Sequence, residues 1–402
     1  VLFDLHNHYP MHLVARAPKR GGKGTTAITA EALRERVGRP DWVERLRAEA
    51  IEELDGLINF RDDRWRVTLP GLIEGDVRGV YSVLYEPFAE FDLDEPYGAP
   101  PENGYFDDLI GRLEGVEQEL RVLDPDEEKH QVVRSAAELD TALDAGKVAF
   151  MHCVEGGFHL GATPAEVRAN VATLKARGVV YVTIAHLFWR EVATNAPAIP
   201  MISDDVYRFV FPEPEDEGLT ALGRAAVEAM YEHKILIDLS HMSERSLSET
   251  FDLLDRLDRE SGADPTDHPV IAGHAGYRFG DQEYMLSAET IRRIAARGGV
   301  IGLIMARHQL NDGAVNTDDD DPGETPKVVI RHIDAIRDAL GAATNDHVAI
   351  GSDLDGFIKP TMAGIETVAD LAKLDAPLRA AYPDAEAILS GNARRVARWA
   401  LG

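Results

Sequence analysis

The chain has 402 residues, 45% of them hydrophobic, and a formal net charge of −28 at pH 7. That acidity argues against nucleic acid or an anionic membrane as partner, and no apolar run approaches the ~18 residues needed to span a bilayer. The single cysteine, Cys153, excludes an intrachain disulfide framework; with no signal-peptide pattern to be read, a reducing, cytoplasmic location is expected.

The first strand is expected over residues 2–6, inside the opening Val1-Leu2-Phe3-Asp4-Leu5-His6-Asn7-His8-Tyr9-Pro10. Strand side chains alternate between faces, so His6 and His8 should project to the same side. Residues 9–76 then read as a long insertion forming part of a pocket wall, with a helix near 31–57 and a polar, Gly-rich loop at 19–25. A second strand is expected at 77–84, followed by an acidic, proline-containing loop and a helix around 105–120. The third strand is 148–154, and Pro164 suits the first turn of the helix after it.

A fourth strand, 179–185, leads into a long connection holding Pro197, Pro200, Pro212 and Pro214. Helix 219–233 and strand five (235–239) follow, and Ser243 reads as the N-cap of helix 244–259. Strand six (269–273) precedes helix 288–297. Strand seven (299–305) precedes the acidic run 318–321 and helix 326–340. Strand eight is 348–351, and two helices near 366–382 and 385–400 close the chain. Eight strands alternating with helices point to an α/β fold, a parallel (β/α)8 TIM-type barrel in one domain spanning 1–402. An open doubly wound sheet would give a similar pattern.

In such a barrel the chemistry gathers at the C-terminal strand ends. Here those ends carry His6 and His8, Glu155, His186, His241, His274, and Asp353 with Asp355. One histidine at a strand end is usually a loop or capping residue, and a lone aspartate a turn former. Six strand ends of this kind at once are poorly explained that way. Imidazoles and carboxylates are the ligands that zinc and its first-row neighbours favour, and a carboxylate can bridge two ions roughly 3.5–4 Å apart. Cys153 reads as core packing, His159 as a turn residue near the pocket, and His308 has no assigned role. The acidic run 318–321 lacks calcium-loop spacing. There is no phosphate-binding loop, dinucleotide fingerprint or serine-nucleophile elbow.

These segments resemble the membrane (renal) dipeptidases, zinc metallopeptidases of the amidohydrolase superfamily. The matching stretches are residues 4–8, 154–157, 181–186, 237–241, 269–274 and 350–356, with 390–396 similar to the family's closing helix. The resemblance implies a (β/α)8 barrel with two divalent metal ions, zinc by the family's habit. His6 and His8 would hold the first ion, Glu155 would bridge, and His241 and His274 would hold the second. His186 would polarise the substrate carbonyl. Asp353 would handle the proton of a metal-bridging hydroxide and pass it to the leaving amine.

Two departures matter. The family's first strand usually ends His-x-Asp, where this chain has His6-Asn7-His8. Members also carry an arginine beyond the strand-six histidine to clamp a dipeptide's free carboxylate, whereas the aligned stretch here is Glu283-Tyr284-Met285-Leu286-Ser287. Arg278 and Tyr284 are the substrate-contact candidates that remain. The expected activity is hydrolysis of a small amide, foremost a dipeptide. An N-acyl amino acid, cyclic amide or lactone is the alternative substrate, and a non-catalytic barrel that retains its metals is the alternative class. A homodimer is compatible with the sequence.

Overall fold

A computed structural model describes residues 1–14, 65–90, 105–199, 203–313, 320–358 and 360–402. Nine parallel strands lie within them: β1 (Leu2–Asn7), β2 (Val77–Leu84), β3 (His130–Val132), β4 (Val148–Glu155), β5 (Tyr181–Thr183), β6 (Leu236–Asp238), β7 (Val270–Ala275), β8 (Val300–Leu303) and β9 (Val348–Ile350). They run in the order β2-β1-β9-β8-β7-β6-β5-β4, and β2 pairs back onto β4. Those eight close the parallel barrel that the alternation of strands and helices led one to expect. The additional strand, β3, pairs with Val148–Phe150 at the start of β4, while β5 takes up β4 from Cys153 onward. Its sequence, His130-Gln131-Val132, holds a single apolar residue, so β3 offers no apolar run to read.

One register slip in β1 sets up the site. Asp4 pairs with Val80 and Asn7 with Ser82, so three steps on β1 match two on β2. The extra residue is a bulge, and a bulge reverses which residues face inward. Phe3 and Leu5 below it pack in the barrel interior with Tyr81, Met151 and Cys153, while His6 and His8 above it also turn inward. At the opposite end the helix Asn392–Leu401 plugs the barrel: Ala393, Val396, Ala397 and Ala400 join the same interior cluster. The larger apolar layer lies between the strands and the surrounding helices.

The helices follow their caps. Thr163 and Glu166 form a capping box with Pro164 in the first turn, and Ser243 accepts from the Ser246 N–H at the start of Glu244–Ser261. The expected helix 366–382 is split instead into a 3₁₀ turn (Val368–Leu374) and the helix Asp375–Ala381. Pro377 has no N–H to donate, so it is accommodated in the first turn of a new helix. The expected helix 385–400 begins as a π-turn, Ala387–Gly391, before Asn392–Leu401. The expected helix 31–57, the loop 19–25 and part of the run 318–321 lie outside the described residues. No helix among the described residues is long and apolar enough to cross a membrane.

Candidate metal centre

The strand ends bring His6, His8, Glu155, His186, His241, His274 and Asp353 into one buried cluster. Glu155 is its hub. Oε1 lies 3.5 Å from His6 Nε2, 3.7 Å from His241 Nε2 and 3.4 Å from His274 Nε2; Oε2 lies 3.1 Å from His8 Nε2 and 3.3 Å from His186 Nε2. Asp353 Oδ1 is 3.1 Å from His8 Nε2 and 3.6 Å from His6 Nε2. Three overlapping groups have ligand atoms close enough to share an ion: His6, His8 and Glu155; Glu155, His186 and His241; and His6, His274 and Asp353.

The donor set fits divalent ions. Ring nitrogens of His6 and His8 face each other at 3.3 Å, and those of His241 and His274 at 2.9 Å. Two nitrogens on one tetrahedral zinc stand about 3.3 Å apart, given bonds of roughly 2.0–2.1 Å. Both Glu155 oxygens are buried and, among the described residues, accept no hydrogen bond, which is costly for a carboxylate with no cation beside it. Burial would raise Glu155, but the imidazoles of His186, His6 and His8 outweigh it and hold the carboxyl well below its ordinary value. Burial would lower His8, yet facing Asp353 and Glu155 pushes it up to about 10. The site thus demands positive charge between its carboxylates.

The backbone is bent to aim these groups. His241 has φ of 64° and Asp353 of 58°, left-handed values that non-glycine residues adopt at a cost, and Gly156 at 91° turns the chain just past Glu155. Buried acids beneath the cluster hold the bends. Asp4 accepts from the Ser352 N–H at 2.8 Å, the Ser352 hydroxyl at 2.6 Å and Asn7 at 3.1 Å, tying β1 to the loop that carries Asp353. Asp238 accepts from Thr183, from the Ser240 N–H and hydroxyl, and from the Gly273 N–H, tying together the ends of β5, β6 and β7. His6 Nδ1 lies 2.8 Å from the Tyr181 hydroxyl; a proton donated there leaves the Nε2 lone pair facing Glu155.

Sequence reasoning missed Glu90. Its Oε2 is 2.5 Å from His186 Nδ1 and accepts from the Tyr85 hydroxyl, and its Oε1 accepts from the Phe188 N–H at 2.8 Å. Burial lowers His186, but Glu155 and Glu90 prevail and raise it. With Nδ1 against the Glu90 carboxylate, the Nε2 end of the ring is left facing the cluster. Asp353 is pushed up to about 6, chiefly by burial.

Tyr284 borders the small space at the cluster, but its hydroxyl donates to the His274 carbonyl at 2.5 Å, so it braces the backbone there. Arg278 lines a second, larger cavity, where it donates to Glu244 and to the carbonyls of Glu283 and Met285. Both nitrogens of His159 lie against backbone, at Gly156 and Glu86, and Cys153 is buried core.

Residues 1–400 match the family model described as membrane dipeptidase (peptidase family M19). The chain is 33% identical over 178 residues to the uncharacterized protein of the pqqA 5′ region of Klebsiella pneumoniae, covering 43% of this chain and 58% of that one. It is 23% identical over 331 residues to dipeptidase tcpJ of Claviceps purpurea, covering 81% of this chain and 66% of that one. The chain thus spans less than two thirds of each of these relatives. Among solved structures, a metallo peptidase from Rhodobacter sphaeroides, liganded with a phosphinate mimic of the dipeptide L-Ala-D-Ala, superposes with a TM-score of 0.65 at 22% identity, covering 98% of both chains.

Proposed function

Because the chain belongs to the membrane dipeptidase family, peptidase family M19, we propose that it is a metal-dependent hydrolase cleaving the amide bond of a small, dipeptide-like substrate at a two-zinc centre. The observation that carries this reading is Glu155: a buried carboxylate with no hydrogen bond on either oxygen, ringed by five imidazole Nε2 atoms within 3.7 Å. His6 and His8 would hold one ion, His241 and His274 the other, with Glu155 between them. Bound there, divalent ions supply Lewis acidity, acidifying a water and drawing charge from the scissile carbonyl.

The rest falls to the chain's own groups. Asp353 sits at the cluster with a carboxyl raised to about 6, suited to take a proton from the attacking water and deliver it to the leaving nitrogen. His186, held through Nδ1 by Glu90, offers its Nε2–H to the carbonyl oxygen as negative charge develops there. A barrel that merely stored metals would need neither Asp353 nor the Glu90–His186 pair.

A second reading is favoured by Arg278. Its guanidinium is already engaged by Glu244 and two carbonyls, so no bidentate clamp for a free carboxylate is on offer from it. That widens the substrate class to N-acyl amino acids and cyclic amides or lactones. A panel of dipeptides set against their C-terminal amides separates the two. Turnover of both at similar kcat/KM supports the wider class, strict dependence on the free carboxylate supports a dipeptidase, and inertness of the zinc-loaded protein on every member refutes both.

A further inference from the structure

A cavity of about 800 Å³ adjoins the cluster, and it meets the small space around His8, Glu155 and Asp353 at two shared residues, Ala198 and His308. Among the described residues its charged lining is one-sided. Asp204, Asp205, Glu244, Asp281, Glu283 and Asp312 face only Arg208 and Arg278. Both arginines are already paired, Arg208 with Glu283 and Asp204, Arg278 with Glu244. Among the described residues Asp205 and Asp281 pair with no cation. A partly enclosed surface lined by one sign of charge focuses its field and draws the opposite charge to it.

A second observation, independent of that field, lies where the two spaces meet. The short helix Arg307–Leu310, just past β8, carries Gln309, which is 3% exposed and lines the space at the cluster. Its Oε1 accepts no hydrogen bond. Beside it both ring nitrogens of His308 are buried with no partner among the described residues, and burial pushes its pKa down to about 4, so the ring is neutral and offers an acceptor. Unsatisfied buried acceptors are costly, and they are rare unless something outside the chain completes them. The complement of such acceptors under an acidic field is an N–H-bearing cation.

We propose that the cavity and the Gln309–His308 corner form a recognition site for a positively charged group, an ammonium or guanidinium, on the part of the substrate that extends away from the reacting amide. The proposal rests on the hydrolase reading above and narrows it. The absent arginine clamp and the engaged Arg278 then follow the same logic, since a free carboxylate in this cavity would meet like charge. Selectivity between substrates comes as much from the repelled group as from the attracted one.

Two measurements on the zinc-loaded protein test this. In the first, kcat/KM is compared along Ala-Lys amide, Ala-Ala amide and Ala-Glu amide, and along the reversed series with the acyl half varied. In one series the lysine member should exceed the glutamate member by tenfold or more, with the ratio shrinking as salt is raised and in Asp205→Asn/Asp281→Asn. Equal or inverted preference in both series overturns the proposal and leaves the hydrolase reading intact. The second measurement needs no turnover: calorimetric binding of 1,4-diaminobutane against 1,4-butanediol. The diamine should bind and the diol should not, and Gln309→Leu should weaken the diamine at least tenfold. Absence of diamine binding overturns the proposal even if the protein hydrolyses amides. Diamine binding to a protein inert on every amide would keep the cation site and refute the hydrolase.

Discussion

The Glu90 carboxylate meets His186 Nδ1 at 2.5 Å across 96 residues of sequence, while the other ring nitrogen of His186 lies 3.3 Å from Glu155. One carboxylate thus fixes the direction of the imidazole and favours its protonated form, and the free end points into the cluster. Glu90→Gln keeps an acceptor but removes the charge. It is expected to lower kcat by about 10-fold or more, the usual scale for a group that orients a site residue, with metal content unchanged. Kinetics alongside metal analysis check this; a parallel loss of metal would mean that Glu90 holds the fold of the site and not the proton on His186.

Asp353→Asn should retain the metals and lose turnover by about 10²-fold or more, since proton transfer is worth that much and an amide cannot carry it. Single-turnover and steady-state rates at several pH values test it. Near-normal rates would remove Asp353 from the proton path.

The buried acids beneath the cluster make a prediction about stability. In Asp4→Ala the Ser352 N–H and hydroxyl and the Asn7 amide lose a buried acceptor. The loss should be about 3 kcal/mol in denaturant unfolding, because stranded buried donors keep their full desolvation penalty. Metal affinity should fall with it, as the loop carrying Asp353 is no longer tied to β1. An unchanged midpoint would show that Ser352 finds another partner.

Glu213 gives a pH dependence away from the metal cluster. Burial raises its carboxyl from 4.5 to about 8, with Glu283 adding to the shift against the Asn195 N–H and Arg208. The folded form therefore holds the proton more tightly than the unfolded one. Its contribution is complete below about pH 4.5 and is lost as pH rises through 8. Thermal midpoints of Glu213→Gln and the parent protein should agree near pH 4.5, with the variant progressively the more stable of the two up to about pH 8. Midpoints that stay parallel across that range would contradict the shift.

The barrel and most of the cluster were legible because strand and helix periods alternate cleanly and six strand ends carry ligand-type residues. His6 and His8 were read as neighbours from simple alternation. The structure adds the bulge between Asp4 and Asn7, which lets them share the barrel axis with Phe3 and Leu5. What escaped lies past β2 and β8, where the first carboxylate, Glu86, is paired with Arg112 and the first histidine, His308, comes five residues on. Glu90 comes six residues beyond β2 and Gln309 comes after a helix start, so proximity in sequence gives no sign of them, while His308 is visible after its strand but gains no role from sequence alone. Arg278 illustrates the converse: its spacing suggested a substrate contact, but only three-dimensional pairing shows its guanidinium already engaged.

Metal analysis of the purified protein tests the central claim most directly. Two equivalents of a divalent ion per chain, falling sharply in Glu155→Gln because a neutral amide bridges poorly, with amide hydrolysis lost on chelation and restored by zinc, is the result predicted here. A protein that binds no ion, or that hydrolyses its substrate at full rate after chelation, would contradict the two-metal centre built on Glu155.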